Sequence, residues 1–142
     1  MKKIEIKSWI TGEVIFSHET NGNTIKLTVD AAIKLKANLR YADLRDADLR
    51  DANLRDANLI SSDLRGAIGN NIEIKSMQLP MWNISFSLNE QSLAIGCQQH
   101  SIAKWKEFTD DEISEMDAGA LDWWKKWSAF IFKAIELSED KR

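Results

Sequence analysis

The sequence predicts a mainly β chain that ends in helices and is built around a short solenoid. Three observations carry this. Residues 37–67 read ANLRY, ADLRD, ADLRD, ANLRD, ANLIS, SDLRG, A, six pentapeptides in one frame without insertion. The segments on either side alternate apolar and polar residues between turn signals, as strands do. The last third carries helix caps followed by helical apolar spacing.

The repeat sets the rest. Leu39, Leu44, Leu49, Leu54, Leu59 and Leu64 recur every five residues, with Ala37, Ala42, Ala47, Ala52, Ala57 and then Ser62 two places before them. A helix would smear a five-residue period round its circumference, and a strand would send it alternately to opposite faces. A strict short repeat instead fits units that bury their apolar positions against stacked neighbours. Asn or Asp always stands between the small residue and the leucine, where its side chain can bond to nearby backbone in a tight turn.

At 142 residues one compact domain is expected: a cap over 1–36, the solenoid over 37–71, a hairpin over 72–100 and a helical region over 101–142. The net charge of −3 offers no electrostatic footprint for nucleic acid. A single cysteine excludes an internal disulfide framework and suits a reducing cytosol, so a cytoplasmic location is expected. Met1 to Glu5 turns charged too soon for a signal peptide, and no run approaches the roughly 18 apolar residues of a membrane span.

In the cap, Ile4, Ile6 and Trp9-Ile10 form one β-like run and Val14, Ile15 and Phe16 a second. Asn21-Gly22 is a hairpin signal, and Ile25, Leu27 and Val29 alternate after it. Residues 3–28 therefore read as a three-stranded antiparallel meander, with Val29 to Lys36 a short helix entering the repeat. Covering the solenoid's open end is the job expected of residues 1–36. His18 reads as a strand or turn residue rather than a ligand.

Beyond Gly66 the pattern decays, and Ile72, Ile74, Met77 and Leu79 suit either a last coil or a plain strand. Trp82, Ile84 and Phe86 alternate, residues 88–91 read as a turn, and Leu93 to Cys97 form the returning strand. Cys97 and His100, three apart, are the one pairing with chemical character. The structural reading is a buried cysteine and a histidine bonded to backbone at a helix start. The alternatives are a ligand-contacting polar patch or a thiolate–imidazole pair. A closed zinc site needs about four ligands, and only His18 remains to add to them.

The tail opens with an amphipathic piece from Ser101 to Phe108, then Thr109-Asp110-Asp111-Glu112 spells a capping box. A last helix is expected over Ala118 to Leu137, with Asp117 as its cap. Trp123, Trp127, Phe130, Ala134 and Leu137 make one apolar stripe, and Leu121, Trp124, Ile131 and Ile135 another. One stripe can be buried at home and the second calls for a partner. Leu121, Trp123, Trp124, Trp127, Ile131 and Ile135 are thus the candidate interface of a homodimer or higher homo-oligomer.

The tandem A-(D/N)-L-x-x pattern resembles the pentapeptide-repeat proteins. That resemblance implies a right-handed quadrilateral β-helix, four pentapeptides forming the sides of one coil, with leucine and the alanine before it pointing inward. Side chains then stack twenty residues apart, which puts Arg45 over Arg65 but Arg40 over Ile60. The recurring arginines make no continuous basic stripe, and Asp46, Asp51 and Asp56, at neighbouring outward positions, put carboxylates at hand to neutralise them. Gly96-Cys97-Gln98, His100-Ser101, Trp105, Phe108 to Ile113, Met116-Asp117 and Ala120 to Trp124 are further similar to small bacteriophage- and prophage-encoded members of the family.

The function this resemblance implies is a non-enzymatic, phage-type binding protein that sequesters or blocks a host target in counter-defence. No phosphate loop, metal cluster or nucleophile elbow suggests an enzyme, and no cofactor is expected. A small anionic nucleotide-like signal is the favoured ligand, because arginines grip phosphates and tryptophans stack on bases. The candidate contacts are Arg40, Arg45, Arg65, Trp82, His100 and Trp105. The alternatives are a host protein bound through the Trp-rich helix, a structural accessory, or DNA mimicry directed at a topoisomerase or nuclease. Magnitudes weigh against mimicry. Under two coils at ~4.8 Å make a rod below ~10 Å, too short beside duplex DNA with a charge per ~1.7 Å. Five arginines also offset six aspartates over 37–71.

Overall fold

The computed structural model describes residues 1–139. They form a mainly β segment followed by helices, in two compact units: residues 1–99, and the residues from His100 on.

Strands β1 (Lys2–Lys7) and β2 (Val14–Thr20) pair antiparallel across the turn at Gly12, with a bulge at Ile6/Lys7. The expected third strand is absent. Residues 25–34 form helix α1 (Ile25–Lys34), which begins where that strand was placed and ends before the expected Lys36. Two side chains decide this. Thr24 accepts the Leu27 N–H and caps the helix. The buried Asn23 donates to the carbonyls of Lys2 and His18 and accepts from the Thr28 hydroxyl, tying the helix start to both strands. Ile25, Val29, Ala32 and Ile33 carry helical spacing as well as the strand-like alternation, and the cap selects the helix.

From Lys36 to Asn71 the backbone turns a corner every five residues. Lys36, Tyr41, Asp46, Asp51, Asp56, Ser61, Gly66 and Asn71 all take positive φ. At six of these corners the N–H of the next residue donates to the carbonyl three back, as in Ala42 to Leu39 and Ala67 to Leu64, the closure of a type II turn. The Asn or Asp before each leucine accepts the backbone N–H two residues on, at Arg40, Arg45, Arg50, Arg55, Ile60 and Arg65. So the turn role expected of Asn and Asp is filled, and the left-handed corner is a second position, the residue after the arginine.

Residues 60–68 run parallel beside 41–49, twenty residues on, bridging Asp43 to Asp63 and Asp48 to Ile68. Leu44 and Leu49 donate to the carbonyls of Asp63 and Ile68, and Asp63 and Ile68 donate back to Ala42 and Ala47. The six leucines are buried and share one core with Ile6, Val29, Ala32 and Ile74. The free backbone along this layer is met by neighbours. Asp43 N–H donates to Lys7 O and Trp9 N–H to Tyr41 O, while the Asp30 carboxylate accepts from Asn53 N–H.

Residues 72–79 do not continue the repeat. β3 (Ile74–Gln78) is a plain strand antiparallel to β4 (Asn83–Ser87), which pairs with β5 (Ser92–Ile95) as the expected hairpin. β6 (Gln98–Ser101), which the alternation does not announce, completes the order β3-β4-β5-β6. The named strands pair antiparallel wherever the register is defined; parallel pairing is confined to the bridges of the repeat.

The second unit holds α2 (Ile102–Glu107), α3 (Asp110–Met116) and α4 (Ala120–Glu139). Ser101 caps α2, and Thr109 with Glu112 forms the expected capping box on α3. α3 packs on α4, whose start is held by Asp117: its carboxylate accepts from Gly119 N–H and its carbonyl from Ala120 N–H. Ala120, Trp123, Ile131 and Ile135 are the buried face of α4. That face crosses the two stripes read from the sequence, because 120, 123, 127, 131 and 135 lie along a single helix side. No helix among the described residues is long and apolar enough to cross a membrane.

Candidate functional site

The repeat's twenty-residue return places Arg45 beside Arg65, and the loop before β4 brings Trp82 to them. Together they line an open cleft of about 400 Å³ that also takes in Asp46, Gly66, Gly96 and Cys97. A volume of this size falls within the usual range of small-molecule sites.

Each arginine is already held. Arg45 Nε and Nη2 donate to the two oxygens of Asp43 at 2.9 and 2.8 Å, and Arg65 Nε and Nη2 to those of Asp63 at 2.9 and 2.6 Å. Arg45 Nε also lies 3.8 Å from Asp63, which links the two layers. The same fork joins Arg50 to Asp48. The rule is local: where Asp stands two before the arginine a fork forms, whereas Arg40 and Arg55, which follow Asn38 and Asn53, have none. The fork with Arg45 lowers the Asp43 pKa below the ordinary carboxylate range, and its counterpart raises the Arg45 pKa. Arg65 spends a further donor, Nη1, on the Cys97 carbonyl at 2.8 Å. Arg45 Nη1 has no partner among the described residues, and the Asp46 carboxylate forms neither hydrogen bond nor ion pair among them.

Two glycines shape the walls. Gly66 takes φ +74°, and a Cβ there would strike the Asp46 carboxylate. Gly96 takes φ +55°, and a Cβ would come within 2.7 Å of Trp82 Cδ1. Gln99 closes the backbone at the back of this wall, accepting from Leu64 N–H and donating to the Ser62 carbonyl. Ser85 Oγ donates to the Ala67 carbonyl.

Of the six predicted contacts, Arg45, Arg65 and Trp82 meet in the cleft. Arg40 does not line it; its guanidinium sits 5.4 Å from the Tyr41 ring centre. His100 and Trp105 belong to the helical unit, where their rings meet edge to face at 5.3 Å with Phe108 against both. Burial, then the charge of Lys104, lowers the His100 pKa. Cys97, expected to be buried, is exposed, because Gly96 turns the chain outward just before it. The neutralising role expected of Asp46, Asp51 and Asp56 falls instead to Asp43, Asp48 and Asp63, two residues before their arginines, which the D-L-R spacing announces.

The candidate interface residues lie on α4. Trp123, Ile131 and Ile135 are buried, and Leu121, Trp124 and Trp127 half-buried. The large apolar side chains α4 leaves exposed are Phe130 and Leu137, at 50% and 54%.

Residues 36–68 match the family model described as Pentapeptide repeats (8 copies). This segment is a pentapeptide repeat. The match does not reach residues 96–124, on which the likeness to phage-encoded members rests. No curated protein and no solved structure matches the chain.

Proposed function

We propose that the protein is a non-catalytic binding protein whose cleft at Arg45, Arg65 and Trp82 takes up a small nucleotide-like ligand. In this reading the pentapeptide repeat is a short quadrilateral β-helix of fewer than two coils, serving as the rigid wall on which the two arginines stack. The observation that carries it is convergence. Side chains 20 and 37 positions away from Arg45 meet it in one cavity that combines an aromatic wall, cationic donors and room for a nucleoside-sized molecule. Rigid β-turn corners hold the polar groups in place before any ligand arrives, which lowers the ordering cost of binding. The host-directed part, sequestration of a bacterial defence signal by a phage-type protein in the host cytosol, is drawn from the resemblance of residues 96–124.

Calorimetry against a panel of linear and cyclic nucleotides tests this. Saturable heat is expected, abolished by Trp82→Ala in protein that still melts cooperatively. Silence across the panel, with a host protein captured from lysate instead, would replace it with the second reading. That reading is a protein-directed inhibitor or a homo-oligomer docking through α4, and the exposed Phe130 and Leu137 favour it.

A further inference from the structure

We infer that the cleft recognises a guanine-type base by its hydrogen-bonding edge rather than a phosphate by its charge. The inference rests on the cleft being a ligand site, and it names which part of the ligand is read.

Charge is the first consideration. The strong donor forks of Arg45 and Arg65 are filled by Asp43 and Asp63, and Arg65 Nη1 is taken by the Cys97 carbonyl. With Asp46 included, three carboxylates face two guanidinium groups. A phosphate dianion entering here would find one guanidinium nitrogen open, Arg45 Nη1, too few donors for a bidentate grip, and a net negative surround.

What remains unengaged is specific. Arg45 Nη1 offers N–H donors, and the adjacent Asp46 carboxylate offers two acceptor oxygens. Donor, acceptor, acceptor is the complement of guanine, which presents a carbonyl acceptor followed by a ring N–H and an exocyclic amine. Adenine presents an amine donor and a bare ring nitrogen, and uracil a donor between two acceptors; neither satisfies the carboxylate twice. Trp82 supplies an aromatic wall on which the ring stacks. Gly66 and Gly96 keep both walls open: a side chain at Gly66 would drive into Asp46 and one at Gly96 into Trp82.

The test is calorimetry of the full-length protein with guanosine, inosine, adenosine and guanosine 5′-monophosphate, repeated on Asp46→Asn. Asparagine tolerates the positive φ of this corner, and an unchanged melting temperature confirms that the variant is folded. Guanosine is expected to bind, and inosine, lacking the amine, at least about tenfold more weakly. Adenosine should not saturate, and the 5′-phosphate should change the guanosine affinity by less than about threefold. Asp46→Asn should cost at least about tenfold for guanosine, because an amide accepts only once on that face. Equal affinity for guanosine and adenosine, or binding that appears only with the phosphate, overturns the base-reading while leaving the cleft a ligand site. No heat with any of the four compounds also overturns the base-reading, and silence across the wider panel of linear and cyclic nucleotides would remove the ligand site as well.

Discussion

The pentapeptide repeat contains two halves with the same sequence grammar and different surroundings. Residues 41–49 have a second layer, residues 60–68, hydrogen-bonded alongside them. Residues 51–58 have no such layer among the described residues; there Asn53 N–H donates to the Asp30 carboxylate and Asn70 Nδ2 to the Ala52 carbonyl. Leucines are buried in both halves, as are Ala42, Ala47 and Ala52, and Ala57 alone of these alanines is half-buried. The pentapeptide thus dictates the corner and the inward leucine by itself. Pairing of coils needs a second copy twenty residues away, and the forked arginines follow the paired half: Asp43, Asp48 and Asp63 stand where the other half has Asn53 and Asn58.

The largest expected effect separates the halves by packing. Leu49→Ala should destabilise by about 3 kcal/mol, since its cavity is enclosed between two hydrogen-bonded layers that cannot collapse. Leu54→Ala should cost about 2 kcal/mol, because among the described residues no second layer is hydrogen-bonded beside 51–56 and the site can relax inward. Urea unfolding of both variants measures the difference. Equal losses would mean that the second layer adds no rigidity, and the comparison would fail at its base.

Ser62 offers a smaller effect of opposite sign. It fills the slot that alanine holds in the other five repeats, and its hydroxyl is buried without a hydrogen-bond partner. Ser62→Ala should therefore stabilise the protein by about 1 kcal/mol, the desolvation cost of an unsatisfied group. The reverse change should be felt unequally, with Ala42→Ser costing more than Ala57→Ser, whose half-buried site lets the hydroxyl reach water. A neutral or destabilising Ser62→Ala would show that the hydroxyl has a partner in solution.

Much of this is legible in the residues. The leucine period marks the inward face, and the twenty-residue stacking implied by the resemblance to pentapeptide-repeat proteins foretells Arg45 beside Arg65. Period alone fails at α1, where Ile25, Val29 and Ala32 satisfy the helix as well as Ile25, Leu27 and Val29 satisfy the strand. The deciding interactions are made by Asn23 and Thr24, polar residues that a hydrophobic pattern ignores. Half of the site is legible for the same reason. Trp82 can be named for its chemistry, but its approach to the arginines depends on a loop geometry set by Gly96. His100 and Trp105 can be named for theirs, and the fold uses them in an aromatic cluster of the helical unit. The filled state of the arginine forks is announced by D-L-R, two residues being the reach at which a carboxylate caps both the backbone N–H and the guanidinium.

Acid titration gives the smallest effect, and it sharpens the comparison because only the paired half carries forks. The Arg45 fork lowers the Asp43 pKa, and the Arg50 fork lowers that of Asp48 to about 2, against an ordinary 3.8. A carboxylate with a depressed folded pKa binds its proton more readily in the unfolded chain. Its contribution is therefore complete above about pH 4 and is lost as the pH falls toward 2. Both carboxylates are partly exposed, so solvent screens much of the effect and the change is small. Urea midpoints measured at pH 6, 4 and 2.5 should fall in the last interval for the natural chain. In the double variant Asp43→Asn, Asp48→Asn, which gives the paired half the asparagines its neighbour already has, that fall should be shallower. An unchanged slope would place the acid sensitivity outside the forks, and the charged pairs would then be a consequence of the stacked layer with no share in holding it.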